Sequence, residues 1–220
     1  IDLMVEERLK GKPLAYLIGK KGFWKNNFIV TPDVLVPRPE TEALVEVILN
    51  ENLQGKTLLE LGTGSGVISI SIAQENKDCF IFATDISIRS ILVAKQNAAK
   101  FCCENIIFLN HDWNNEWLFP RVDYLISNPP YVDKEATTGE EEGIWYEPEK
   151  ALFSKDKGLS DLKLILSKGK NFLNENGKVY LEHAPNQYEE LNKFALKNGY
   201  LNFSNLNDLN GDKRVSIYQC

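Results

Sequence analysis

The sequence predicts an α/β fold, with a mostly parallel sheet covered by helices on both faces. Three observations predict it. Short apolar runs alternate with helix-length segments from residue 37 onward. The runs are almost continuously apolar, as in strands buried on both faces. A glycine-rich turn, Gly62 to Gly66, joins the first run to the segment after it, as in doubly wound sheets.

Residues 1–36 read as a unit before that sheet. Asp2 to Lys10 carries apolar residues at helical spacing, like the end of a helix in a longer protein. Gly11, Pro13, Gly19 and Gly22 punctuate the next stretch of chain. Strand-like pieces at Phe23–Trp24 and Phe28–Val30 predict a small β-hairpin packed on the main domain, with Asn26-Asn27 as its turn. Residues 37–220 form the main domain. Pro39 suits the first position of a helix, and Glu40 and Glu42 suit its first turn; this helix should reach about Asn52. Strands are expected at Thr57–Leu61, Cys79–Thr84, Asn105–Asn110, Val122–Ser127 and Lys178–Glu182. Helices should cover about 66–75, 87–101, 159–174 and 187–197. Two late strands, near 200–206 and 214–219, flank the turn signal Asn210-Gly211 and predict a terminal antiparallel hairpin. The segment 132–155 is acidic and poorly periodic, centred on Glu140-Glu141-Glu142. It reads as a solvated loop or a lid over a site.

Composition narrows the function. The chain has 220 residues, 43% of them hydrophobic, enough for one core and a small appendage, and a net charge of −6. Proteins that bind nucleic acid usually show a basic face, so direct nucleic-acid binding is not expected. No apolar run reaches the ~18 residues of a membrane span, and no signal peptide is visible. Cys79, Cys102, Cys103 and Cys220 form no CxxC pair, and with only His111 and His183 there is no zinc spacing. These features fit reduced thiols in a cytoplasmic protein, by default a monomer.

The chemistry-bearing residues fall at expected strand ends. Glu60-Leu61-Gly62-Thr63-Gly64-Ser65-Gly66 follows the first strand. A dinucleotide fingerprint needs a small residue at 67, where Val67 stands, and a P-loop needs Gly-Lys-Ser/Thr. Glu60 would repel phosphate but tolerate an ammonium or sulfonium group. Asp85, 23 residues beyond Gly62, can accept from two ribose hydroxyls; capping the next helix is its structural alternative, shared with Ser87. Asp112-Trp113 ends the third strand, where an acid can take an adenine amino group and an indole can cover the base. Alone this pair is a weak signal. In register, the three strand ends read methionine, ribose, adenine, which is S-adenosyl-L-methionine, with S-adenosyl-L-homocysteine as product. The residues expected to hold it are Gly62, Thr63, Gly64, Ser65, Gly66, Asp85, Asp112 and Trp113, with Asn128 shared between cofactor and substrate.

Asn128-Pro129-Pro130-Tyr131 ends the fourth strand. Its prolines stop the sheet and carry no N–H. The Asn128 side-chain oxygen and a proline carbonyl can accept both hydrogens of a planar NH₂, while Tyr131 offers a flat face. An amide nitrogen is a poor nucleophile because its lone pair is delocalised. Accepting both hydrogens pushes electron density back onto nitrogen and aims it at a methyl donor, so orientation and fixed dipoles carry the catalysis. Asn128, Pro129 and Tyr131 are the expected catalytic residues, and the whole tetrapeptide the substrate site.

With these motifs the chain resembles the HemK/PrmC family of protein-(glutamine-N5) methyltransferases. The resemblance spans nearly all 220 residues. It rests on Gly11-Lys12-Pro13 with Tyr16 and Gly19, on Val36-Pro37-Arg38-Pro39-Glu40-Thr41-Glu42, on the glycine loop and on Ser127-Asn128-Pro129-Pro130-Tyr131. Glu147-Pro148 with Ala151-Leu152, and Leu181-Glu182-His183, complete it. It implies a class I, Rossmann-like fold with a seven-stranded sheet preceded by a β-hairpin. It implies class I peptide chain release factors as partners, with the glutamine of their Gly-Gly-Gln motif as substrate. Glu60 stands where the family often has Asp, and Ala184-Pro185-Asn186 replaces a glycine-containing segment. Two other readings compete. An adenine-N6 or other nucleic-acid amine methyltransferase would use the same tetrapeptide but calls for a basic recognition segment. A non-enzymatic module would not need the intact pocket.

Overall fold

The computed structural model describes residues 2–137, 143–208 and 211–219. Two short helices, α1 (Asp2–Leu9) and α2 (Leu14–Ile18), precede a hairpin of β1 (Lys20–Phe23) and β2 (Asn26–Ile29). The main sheet has seven strands: β3 (Thr57–Leu61), β4 (Phe80–Asp85), β5 (Ile106–Asn110), β6 (Val122–Ser127), β7 (Leu173–Glu182), β8 (Asn202–Asn207) and β9 (Lys213–Gln219). Their order is β5-β4-β3-β6-β7-β9-β8. The first five are parallel; β9 runs antiparallel to both β7 and β8. The expected α/β class and terminal hairpin are both found.

Alternation along the strands divides the core in two. Leu58, Tyr124, Ile126, Tyr180, Val215 and Ile217 face α3 (Glu42–Leu49), α4 (Val67–Glu75) and α5 (Ile88–Lys100). Leu59, Leu61, Leu125, Val179, Leu181 and Tyr218 face α7 (Ser160–Gly169) and α8 (Tyr188–Lys197), while α6 (Glu149–Leu152) is a single turn in the 132–155 segment. Because side chains alternate, Glu60 and Glu182 lie on the α3–α5 face.

Several expected boundaries are corrected. The hairpin turns at Trp24-Lys25, since Phe23 pairs with Asn26. Trp24 takes φ 52 there, a conformation that asparagine would have advertised. It is held by a bond from its N–H to Glu42 (2.8 Å) and from its indole to Glu75 (3.2 Å). Helix α2, too short to show periodicity, starts after Pro13 and ends on left-handed Gly19. The helix expected from Pro39 is a 3₁₀ turn, Pro39–Thr41, followed by α3, which ends at Leu49. The helix expected over 159–174 stops at Gly169, and a 3₁₀ turn leads into β7, which begins at Leu173. Polar Asn174-Glu175-Asn176 hid this start, and the pairing with β6 shifts register there. In the turn expected at Asn210-Gly211, Asn210 lies outside the described residues, as do Glu140-Glu141-Glu142 and Cys220. No helix among the described residues is long and apolar enough to cross a membrane.

The hairpin belongs to the main core. Phe23 and Phe28 join the α3–α5 cluster, and Phe28 packs edge-on against Phe101 at the end of α5 with centroids 5.1 Å apart. Asn97 ties in the hairpin with bonds to the backbone of Ile29 (2.7 and 3.0 Å) and to Ser65 O (2.8 Å). Phe28→Ala should therefore lower global stability by about 3–5 kcal/mol. Urea unfolding followed by far-UV circular dichroism reads this; a loss under ~1 kcal/mol would show that the hairpin unfolds independently.

Candidate active site

The chain runs outward from β3 through β4 to β5, then returns to β6 on the other side of β3. Ligands of doubly wound sheets bind where the strand order reverses in this way, at the carboxyl ends of the strands. Leu61 and Ser127 are paired there, and the Ser127 hydroxyl donates to Leu61 O at 2.7 Å. The glycine loop and the tetrapeptide therefore leave the sheet side by side.

All three loop glycines have positive φ: 76° at Gly62, 55° at Gly64 and 82° at Gly66. A Cβ on Gly66 would stand 2.8 Å from Ile70 and 3.2 Å from Ala94, so α4 and α5 require glycine there. A Cβ on Gly64 would meet nothing within 4 Å, so this glycine borders open space. The amides of Gly62 and Thr63 donate to Thr84 O, that of Gly66 to Thr63 O, and that of Gly64 to Asp85 (2.9 Å). With these donors engaged, the loop is no phosphate cradle. Thr63 and Ser65 point inward: Thr63 donates to Glu60 at 2.8 Å, and Ser65 is buried.

Glu60, 1% exposed, lies beneath the loop. Its Oε2 accepts from Thr63 and from the amide and hydroxyl of Ser69, while Oε1 is buried without a partner. Burial pushes its pKa up to about 7. An orphaned carboxylate oxygen beside an open glycine loop suits a cationic group and repels an anionic one. Asp85 accepts from Gly64 N and Ser87 N, and burial raises its pKa. Ser87, not Asp85, caps α5, through Ser90 N. Asp85 thus braces the loop and keeps acceptor capacity on both oxygens.

Trp113 is half-buried. A Cβ on Gly62 would lie 3.2 Å from its ring, and its indole N–H donates to Asp161 on α7 at 3.0 Å. It forms one wall of the loop rather than standing on the surface. Asp112 is less committed to the site: its Oδ1 accepts the backbone and side-chain N–H of Asn114 in a local turn.

On the far side of the reversal lies a cavity of about 200 Å³ lined by Asn128, Pro129 and Tyr131 together with Arg38, Leu152 and Ile144. Pro130 is buried but not in the lining. The Asn128 amide nitrogen donates to Thr41 Oγ1 at 3.0 Å, and the Tyr131 hydroxyl to Glu182 at 3.0 Å. Gln187 donates to Tyr131 O at 2.9 Å and fastens the tetrapeptide from below. Val132, Ile144, Ala151 and Leu152 supply the outer wall. Val132 bridges Phe153, and buried Glu147 accepts from Val36 N (2.9 Å) and Arg38 (2.5 Å). Described residues 143–155 are therefore an anchored wall, not a loose loop. His183 is buried, with Nδ1 against Ala184 O (2.8 Å) and Nε2 against the Ser216 hydroxyl (2.7 Å). The carbonyl makes Nδ1 the donor, so this is a neutral core histidine whose pKa burial lowers.

Arg38, Thr41, Glu147, Glu182 and Gln187 were not expected at the site; the first four lie inside the motifs that carry the family resemblance, which was the available signal. Among the described residues no cluster of metal-ligating side chains occurs.

Glu60 and Glu182 share one property: burial raises both pKa values to about 7 from 4.5. The folded state then holds protons that the unfolded chain releases. This contribution is fully present below pH ~4.5 and disappears as pH rises through about 7. Stability should fall between pH 6 and pH 8 by roughly 1 kcal/mol for each group, and Glu60→Gln should remove its share. Urea midpoints at the two pH values check this; equal falls in wild type and variant would mean that Glu60 is already charged at pH 6.

Residues 39–145 match the family described as methyltransferase small domain. The release factor glutamine methyltransferase of Coxiella burnetii is 38% identical over 99% of this chain and 78% of its own length. That of Escherichia coli is 33% identical over 99% of this chain and 79% of its own. The crystal structure of a methyltransferase from Pyrococcus furiosus superposes with a TM-score of 0.67 at 19% identity, covering 100% of this chain and 98% of that one. The last likeness concerns the fold alone; the first two extend over almost the whole sequence, and by them the chain belongs to the release factor glutamine methyltransferase family.

Proposed function

We propose that this chain transfers a methyl group from S-adenosyl-L-methionine to the side-chain amide nitrogen of the Gly-Gly-Gln glutamine in class I peptide chain release factors. The reaction belongs in the cytoplasm, where translation terminates. Residues 37–220 act as the methyltransferase domain, and residues 1–36 as the end of a helical region plus a hairpin linker. The observation that carries the reading is the cavity lined by Asn128, Pro129 and Tyr131, one strand away from the glycine loop.

The residues present fit the methyl donor. Glu60 Oε1, buried and unpartnered, suits its ammonium end. Open space at Gly64 admits its backbone-hugging part. Asp85 retains lone pairs for the ribose hydroxyls, and Trp113 offers an aromatic wall for the base. Asp112 is the remaining expected contact, to the adenine amino group. When bound, S-adenosylmethionine supplies a methyl group on a sulfonium centre already activated for displacement.

The protein's own part is orientation. Asn128 Oδ1 and the Pro129 carbonyl accept the two amide hydrogens, which concentrates electron density on nitrogen without a strong base. Tyr131 and the apolar lining of Ile144 and Leu152 exclude water from the amide. The neutral, buried state of His183 is consistent with a site that needs no imidazole base.

Labelled S-adenosylmethionine should mark a release factor, and a factor carrying Gln→Ala in Gly-Gly-Gln should stay unlabelled. Labelling of DNA or RNA in its place would sink the proposal. Asn128→Ala should lower kcat by about 100-fold or more while cofactor affinity stays nearly constant. Equal loss of both would assign Asn128 to the cofactor.

A further inference from the structure

The turn after β5 is the least self-sufficient part of the crevice. Asn114, Asn115 and Glu116 are exposed and belong to no strand or helix. The internal bonds of the turn, from Asn114 and Asn115 to Asp112, are local. Yet the turn carries Trp113, whose ring lies so close to Gly62 that a Cβ there would stand 3.2 Å from it. A short polar turn ordinarily samples several conformations. Unless the protein holds the indole in advance, a ligand must order it on binding and loses affinity by doing so.

Helix α7 holds it twice. Lys168 Nζ donates to Trp113 O at 2.8 Å, to Asn114 O at 2.9 Å and to Asn115 O at 2.9 Å. An ammonium has three hydrogens, and here all three go to consecutive carbonyls. The backbone therefore curls around one charge, and charge-assisted bonds fix three successive peptide groups. Two turns earlier on the same helix face, Asp161 Oδ1 accepts the Trp113 indole N–H at 3.0 Å. One lysine and one aspartate thus grip the backbone and the side chain of the same tryptophan. Trp113 O also takes the indole N–H of buried Trp117 at 2.8 Å. That bond ties the turn to the core independently of Lys168. The carbonyls of exposed Asn114 and Asn115 would find water if the lysine were absent, so its bonds add little to global stability. What they add is a single conformation for the turn.

We propose that Lys168 and Asp161 are positioning residues that hold Trp113 against the glycine loop before the cofactor binds, and so set cofactor affinity. The inference rests on the reading above that S-adenosyl-L-methionine occupies this crevice with Trp113 as the wall for its base. It gives α7 a second use. Besides covering the sheet, one face of the helix presets an aromatic wall that the β5 turn alone would leave unfixed.

The test uses the full chain. Lys168→Met keeps the length of the side chain and removes its donors. It should raise the Kd of S-adenosylhomocysteine about 5- to 30-fold by calorimetry. The KM for S-adenosylmethionine should rise in parallel, while kcat on a release factor at saturating cofactor falls by less than about twofold. Asp161→Leu should weaken binding to a similar degree. Asp161→Asn keeps an acceptor for the indole and should stay within about threefold of wild type. Trp113→Leu should itself raise Kd at least about fivefold. Adding Lys168→Met to it should cost less than about a further twofold, because the lysine acts through the indole. Wild-type affinity in any of Lys168→Met, Asp161→Leu and Trp113→Leu, additive losses in the double variant, or a fall in kcat at unchanged KM would each overturn the proposal. Should Lys168→Met fail to fold, Asp161→Leu decides by the same criteria, with Asp161→Asn as its control. The nitrogen-15 resonance of the Trp113 indole needs no cofactor. Its N–H should exchange at least about fivefold faster in Lys168→Met and in Asp161→Leu than in wild type; equal rates would also overturn the proposal. If the wild-type protein bound no S-adenosylhomocysteine, the cofactor reading would fail while the exchange rates still decided whether α7 positions Trp113.

Discussion

The Ser127 hydroxyl bonded to Leu61 O at 2.7 Å marks the constraint on which the rest of the site depends. It closes the carboxyl ends of β3 and β6, neighbours in space that are 61 residues apart from end to start in the chain. Because β4 and β5 lie on one side of β3 and β6 on the other, the loops after β3 and β6 diverge around a crevice. One loop is built of glycines whose amides are spent within the protein, and the other of prolines that have no amide to spend. Between them the crevice offers acceptors: a buried glutamate, an aspartate, an asparagine oxygen and a proline carbonyl. Such a surface favours a cationic donor group and an NH₂ substrate over anything rich in phosphate.

The two buried glutamates sharpen this picture. Glu60 on β3 and Glu182 on β7 lie on the same face of the sheet, on either side of the strand that carries the tetrapeptide. Each keeps one oxygen without a partner. Leaving a buried acceptor unsatisfied costs on the order of 1–3 kcal/mol, and the fold tolerates that cost twice at the same edge. Buried carboxylates with pKa values raised in this way mark candidate functional positions. The acidic balance of the whole chain thus includes two carboxylates that do not face solvent at all.

The segment after the tetrapeptide shows how long-range contacts turn a nondescript stretch into a wall. Glu147 is 111 residues from Val36 and 109 from Arg38, yet it bonds to both. Tyr146 reaches back to Lys10 O at 2.9 Å. The amino-terminal hairpin region and the outer wall of the cavity are therefore coupled, and displacement of either would reshape the opening through which a protein side chain must enter.

The sequence by itself determined the alternation of strands and helices, the three glycines and the proline-bounded tetrapeptide, since these are local: apolar period, missing Cβ and missing N–H act wherever the residue sits. They were enough to locate Gly62–Gly66, Asp85 and Asn128–Tyr131 at the correct strand ends. Asp112 was placed at its strand end, but its turn with Asn114 was not visible. The turn at Trp24 escaped because a tryptophan is held at positive φ by Glu42 and Glu75, both distant in sequence. The start of β7 escaped because Asn174-Glu175-Asn176 has no apolar period. Only the tertiary structure decided which residues stand behind the site. Thr41, Glu147, Glu182 and Gln187 are ordinary polar residues in the chain; what gives each its role is the partner that folding brings within hydrogen-bond distance and the water it removes.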